Sequence, residues 1–169
     1  MGPVVPGASA EAAGPEEPAR AGSRVRDLLL QLQDLQAERS EAFGLLNQGH
    51  QAYLSSGPHY DFPRYRQLVH EVTEAFASIS REVLAIQKQL EDVHGRPDLA
   101  QHLARLQDQE QQRLELTAAL QLARQKAQEE PGSAALRDEV RELRQRIIKT
   151  MEVISEIVQD LKYDSEETE

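Results

Sequence analysis

Apolar residues recur along much of this chain in alternating steps of four and three. Tyr65, Val69, Val72, Phe76, Ile79, Val83, Ile86, Leu90 and Val93 keep the step unbroken, and the residues between them are mostly polar or Ala. Such a seam holds one face of a helix toward a partner helix. At ~1.5 Å per residue it runs roughly 42 Å. A second seam comprises Leu136, Val140, Leu143, Ile147, Thr150, Ile154, Ile157 and Leu161. Thr150 is its one polar member, and Ile148, Met151, Val153 and Val158 are expected to widen the stripe. A third runs through Val25, Leu28, Leu32, Leu35, Arg39, Ala42, Leu46, Gly49 and Tyr53, with Leu29 and Phe43 alongside; Arg39 and Gly49 weaken it. The fourth passes Leu99, Leu103, Leu106, Glu110, Arg113, Leu116, Leu120, Ala123 and Ala127. It carries two charges at seam positions and an irregular gap, so that helix is expected to be the most weakly packed or locally overwound.

Punctuation separates the four stretches: Ser55-Ser56-Gly57-Pro58, Gly95-Arg96-Pro97 and Pro131-Gly132-Ser133. Ser23 and Ser133 suit helix N-caps. Pro63 and Pro97 suit first helical positions, which makes Phe62 the last extended residue of its connection. Gly95 suits a left-handed helix end. No period-two alternation of β-branched residues occurs. The class is all-α. Short connections make neighbouring helices antiparallel, and the four fold as an elongated up-down bundle or as stacked coiled-coil hairpins.

Composition narrows the core. Of 169 residues, 39 % are hydrophobic but only 4 % aromatic, so the interior is thin and aliphatic. There is no Cys, which removes disulfides, thiolate metal sites and thiol nucleophiles together. No apolar run approaches the ~18–20 residues that span a bilayer. The first residues have neither a basic nor an apolar region of a secretory signal, so an intracellular protein without membrane attachment is expected. The net charge is −10; residues 1–22 carry −2 and residues 163–169 carry −4, leaving −4 for the helical region 23–162. The first segment, rich in Ala, Gly, Pro and Glu, reads as disordered, and the last as a disordered acidic tail with Ser165 and Thr168 as candidate phosphorylation sites.

Constellations for chemistry are sparse. His70 and Glu74 share a helix face and resemble half of a zinc-protease motif, but Val72 lies in the seam and no third ligand is indicated. His50, His59, His94 and His102 fall near helix ends or on polar faces and form no ligand set. No Gly-rich phosphate loop and no serine triad is recognisable, and a filled seam leaves no large pocket. No catalytic, cofactor-binding or metal-binding residue is therefore expected, and the chain reads as a non-enzyme. Arg137, Arg141 and Arg144 share a face and form a weak candidate phosphate-binding set. Asp138, Glu139 and Glu142 stand among them, which argues for flanking ion pairs and against direct nucleic-acid binding. Arg39 and Glu110, both near mid-helix, are candidates for a register-fixing polar pair.

The richest patch lies between the first two helices: Tyr60, Asp61, Phe62, Pro63, Arg64, Tyr65 and Arg66. It gathers aromatics in a chain that has few, flanked by two arginines. Structurally it closes a helical hairpin; functionally it is a candidate protein-binding site, since aromatic and Arg side chains dominate interface hot spots.

From Tyr53 through this patch to Arg66, then Val69-His70-Glu71-Val72-Thr73-Glu74-Ala75-Phe76, and again from Ile148 to Glu156 and on to Asp160 and Leu161, the chain resembles the Required for Excision 1-B domain family. The likeness spans roughly residues 24–162 and leaves out both ends. The family takes its name from an algal gene required for repair of DNA damage. The resemblance implies an accessory role in DNA repair and a nuclear location, with no assigned catalytic residues. Three readings follow: a repair accessory factor acting through unidentified protein partners, a general coiled-coil adaptor unrelated to repair, and direct DNA binding through the three arginines. Homo-oligomerisation is left open.

Overall fold

A computed structural model describes residues 24–167. Its helices are α1 (Val25–Ser55), α2 (Phe62–Asp92), α3 (Pro97–Glu129) and α4 (Ala134–Glu167), and no strand occurs among the described residues. The class is all-α, as the period predicts. The expected disordered segment 1–22 and the expected cap Ser23 lie outside the described residues. Two compact units divide between Ala100 and Gln101, so the first turn of α3 belongs with the first unit.

In the first unit α1 and α2 form an antiparallel hairpin. Arg39 meets Ser80, Phe43 meets Phe76 and Tyr53 meets Tyr65, so positions rise on one helix as they fall on the other. Leu28, Leu32, Leu35, Phe43 and Leu46 are buried on α1, and Val72, Phe76, Ile79, Val83, Ile86 and Leu90 on α2. Each buried side chain of this size contributes ~1.5–3 kcal/mol. Arg39 is also buried, donating to Gln36 Oε1 at 2.6 Å and to Ser80 Oγ at 3.3 Å. Gly49, expected to weaken the seam, permits a close approach instead: a Cβ there would overlap the Leu68 side chain. Val93, the last expected seam position, lies just beyond α2 and is exposed because the helix has ended.

Local chemistry sets the helix ends. The Asp27 carboxylate accepts the Arg24 N–H at the start of α1. Helix α2 begins at Phe62, one residue earlier than expected, because Asp61 is the cap and accepts the Arg64 N–H at 3.3 Å. After α2, Gly95 takes the left-handed conformation expected of it, at φ 61°. The Arg96 N–H then returns to the Leu90 carbonyl at 2.8 Å. Pro97 opens α3, and the Arg96 guanidinium holds Asp98 at 2.8 Å. That hydrogen bond keeps the Asp98 carboxyl below the usual carboxylate range.

In the second unit α3 and α4 run antiparallel. Leu116, Leu120 and Ala123 cluster with Leu143, with Val140 and Ile147 packed beside them. Ser133 caps α4 by accepting the Leu136 N–H at 3.2 Å, as expected. Helix α3 is α-helical throughout, with no overwound segment. Leu103 and Leu106 are fully buried, so weak packing does not extend to its first half. Farther along, it buries polar groups: Glu110, Thr117 and Gln121. Thr117 and, on α4, Thr150 return their hydroxyls to the carbonyls of Arg113 and Arg146. Buried hydroxyls are satisfied this way at little cost.

Two expectations for α4 are corrected. Ile148 and Met151 do not widen the buried stripe; they are 52 % and 43 % exposed, because the seam of Leu143, Thr150, Ile154, Ile157 and Leu161 already occupies the inner face. The acidic tail does not begin at residue 163 either, since α4 continues to Glu167. Asp164 meets His102 at 2.8 Å, and Ser165 is buried and donates to the Lys162 carbonyl at 3.0 Å. These contacts hold the last turn in place. Thr168 lies outside the described residues.

Candidate functional site

The α1–α2 hairpin closes on a cluster of rings. Leu46, His50 and Tyr53 continue the four-three spacing of α1, and Tyr65 opens the seam of α2, so the antiparallel register carries them to the same end. Tyr53 is the hub: its ring stacks on Tyr65 at 4.9 Å between centroids and lies 5.3 Å from Tyr60 and 6.4 Å from Phe62. His50, buried, sits 5.5 Å from Tyr65. Burial, with Tyr53 close by, pushes the Tyr65 phenol above its ordinary pKa. Offset and tilted ring pairs of this kind add about 0.5–1.5 kcal/mol each beyond the area they bury.

The connection is ordered by its own hydrogen bonds. Ser56 Oγ donates to the Tyr53 carbonyl at 2.6 Å and accepts the Asp61 N–H at 3.1 Å. The Tyr60 ring lies close over Gly57, where a Cβ would come within 2.8 Å of it and push the ring aside. The Gly57–Pro58 peptide is cis.

The outer layer of the tip is open. Phe62 is 50 % and Tyr60 38 % exposed. The Arg66 guanidinium stands 5.8 Å above the Phe62 ring, a cation–π arrangement. Of the seven expected site residues, Tyr60, Phe62, Tyr65 and Arg66 share this cluster, while Asp61, Pro63 and Arg64 form the start of α2 beside it. Tyr53 and His50 belong to it as well. The step from Leu46 to His50 to Tyr53 is the signal that marks His50 as inward-facing.

The other expected groups are placed as follows. Arg137, Arg141 and Arg144 are exposed on α4. Arg137 donates to the Pro131 carbonyl at 2.7 Å and Arg141 pairs with Asp138 at 2.9 Å. Two of the three are thus engaged in local contacts. His70 and Glu74 lie 3.5 Å apart on the surface. Among the described residues, no group of three or more His, Cys, Asp or Glu is arranged to hold a metal ion. Arg39 has the partners given above, and Glu110 lies 3.7 Å from Arg113 of the same helix. Burial lowers the pKa of Arg113, and the Glu110 charge opposes that shift. No described helix is long and apolar enough to cross a membrane.

A helical-hairpin protein with an aromatic and arginine-bearing tip is the class that this geometry defines. A sequence model of the family described as DNA repair REX1-B matches residues 27–124, which takes in α1, the tip, α2 and most of α3. The chain belongs to that family. It is 44 % identical to a Bos taurus "Required for excision 1-B domain-containing protein" over 99 % of this chain and 93 % of that one. A Mus musculus protein of the same name is 44 % identical over 86 % of this chain and 83 % of its own length. The bovine likeness reaches the chain ends, which the resemblance had been expected to leave out. No solved structure matches the chain.

Proposed function

We propose that the chain serves DNA repair as a non-enzymatic accessory factor that contacts other proteins through the α1–α2 tip. The family description and the relatives' names support the repair setting. One observation carries the mode of action: a half-exposed Phe62 and an exposed Tyr60 are held on an ordered loop beside Arg64 and Arg66. Large rings left in water, backed by other rings and flanked by guanidinium groups, have the composition of binding hot spots. Their preorganisation reduces the ordering cost of association.

The test is affinity purification of the full chain from undamaged and ultraviolet-treated cells, beside Phe62→Ala and Arg64→Ala variants. Loss of specific partners from the variants, together with ultraviolet sensitivity that only the unaltered chain rescues, is expected. Partner capture unchanged in both variants would move the contact surface elsewhere. Normal survival without the chain would favour the general adaptor. A mobility shift with duplex DNA that weakens steeply with salt and is lost in Arg144→Glu would favour the arginines of α4.

A further inference from the structure

The exposed rings of the tip stand among cations that have no carboxylate. Arg64 and Arg66 are both exposed, and among the described residues neither is in an ion pair. Arg96 and Arg141, by contrast, each hold an acid of their own segment within 3 Å. Nearby carboxylates are occupied: Asp61 accepts the Arg64 N–H, Glu71 accepts from Gln67 at 3.0 Å, and Glu74 faces His70. An acidic chain thus presents, at one hairpin end, a ring surface bordered by two free guanidinium groups.

We infer that this tip recognises an acidic peptide segment carrying a bulky apolar side chain. The apolar group seats on Phe62 and Tyr60, and the peptide carboxylates pair with Arg64 and Arg66. The inference rests on the protein-contact reading above and names the partner's chemistry. Guanidinium and carboxylate groups match in a bidentate fork, and a guanidinium already lying over a ring keeps its donors turned outward for that fork. Charge complementarity therefore sets which side chains are accepted, and the rings set where they sit.

Single-stranded DNA is also bound by rings and arginines, but the charge distribution favours the peptide. Polyphosphate binding draws on a groove of cations that follows the backbone. The tip has two arginines, and the chain carries −10 overall, which repels a polyanion over a long path. A short peptide feels mainly the local charges, because screening acts beyond ~8 Å at physiological salt.

The experiment is a fluorescence-anisotropy titration of the full chain with three labelled probes. One is a peptide of Asp and Glu with spaced Leu and Phe, the second has Lys at every acidic position, and the third is oligothymidylate. The acidic peptide is expected to bind at least about 10-fold more tightly than the Lys analogue. Phe62→Ala and the double variant Arg64→Glu/Arg66→Glu are each expected to weaken it about 10-fold or more, with helical circular dichroism unchanged. Affinity of the unaltered chain is expected to fall as NaCl rises from about 50 to about 500 mM, a readout that does not depend on any variant folding. Equal binding of the two peptides, salt-independent binding or no binding would overturn the inference, and tighter binding of oligothymidylate would assign the tip to nucleic acid. If the peptide fails while tip variants still lose their co-purifying proteins, only the acidic chemistry falls. If tip variants keep every co-purifying protein, the protein-contact reading itself falls.

Discussion

In the α1–α2 hairpin, Arg39 reaches neutral acceptors on both helices, Gln36 on its own and Ser80 across the interface. In the α3–α4 unit, Glu110 sits 3.7 Å from Arg113, one turn along the same helix. The first arrangement ties two helices at one register, because a shift by one residue would carry Ser80 away. The second places a buried charge beside an opposite one on its own helix. The apolar seams differ in the same sense. Helix α2 buries an unbroken aliphatic and aromatic series from Val72 to Leu90, whereas α3 interleaves Glu110, Thr117 and Gln121 with its leucines. A well-specified hairpin can carry exposed rings at its tip without losing its own order.

The sharpest way to break this comparison is by cavity. Ile86→Ala, at a site 1 % exposed, is expected to cost about 3–4 kcal/mol. Leu143→Ala is expected to cost only about 2–3 kcal/mol, because its neighbours Val140 and Ile147 are half-buried and can close the gap. Guanidinium denaturation followed by circular dichroism measures both, and equal losses would erase the distinction between the units.

Next comes the buried polar chemistry. Arg39→Ala leaves a void and strands the acceptors on Gln36 and Ser80, at an expected cost of about 2–3 kcal/mol. Arg39→Met fills the space and is expected to recover most of that. Thr150→Val in α4, where the hydroxyl serves only its own helix, is expected to stay within about 1 kcal/mol of the starting stability. A Thr150 effect as large as that of Arg39 would show that crossing the interface is not what matters.

Two glycines of α1 provide a smaller contrast. A Cβ at Gly44 meets nothing, so Gly44→Ala is expected to stabilise by about 0.5–1 kcal/mol. Gly49→Ala should show none of that gain in a thermal melt, since the new methyl displaces Leu68. The smallest effect concerns pH. The Tyr65 phenol is held above its ordinary value, so its share of stability is complete below about pH 10 and disappears as pH rises through the folded pKa. Tyr65→Phe should flatten that alkaline loss in urea midpoints taken at stepped pH.

Periodicity made the four helices and most of their inward faces legible, and capping chemistry made Ser133, Gly95 and Pro97 legible. Each of these depends on residues close in sequence. What escaped depends on the opposite helix. Gly49 read as a weak point because the pattern on α1 alone does not reveal that Leu68 faces it. Ile148 and Met151 read as core because apolarity alone does not say that the inner face is already full. Charge density suggested an unfolded tail from residue 163, whereas Asp164 and Ser165 find partners that only the folded unit supplies. At the tip, composition pointed to the rings and arginines, but Tyr53 as their hub follows only from the register.

The partners across α1 and α2 are nested around their turn: Tyr53 with Tyr65, outside them Phe43 with Phe76, and outside those Arg39 with Ser80. Once the inner rings meet, each outer pair has only the chain between it and the pair inside it left to close, and loop-closure entropy grows only with the logarithm of that length. Such a topology has low contact order and belongs among the fast folders. Substitutions at Tyr53 should therefore slow folding in stopped-flow traces, while those at Leu28 or Leu90 should chiefly hasten unfolding. The rings offered to a partner would then also be the nucleus around which the hairpin assembles.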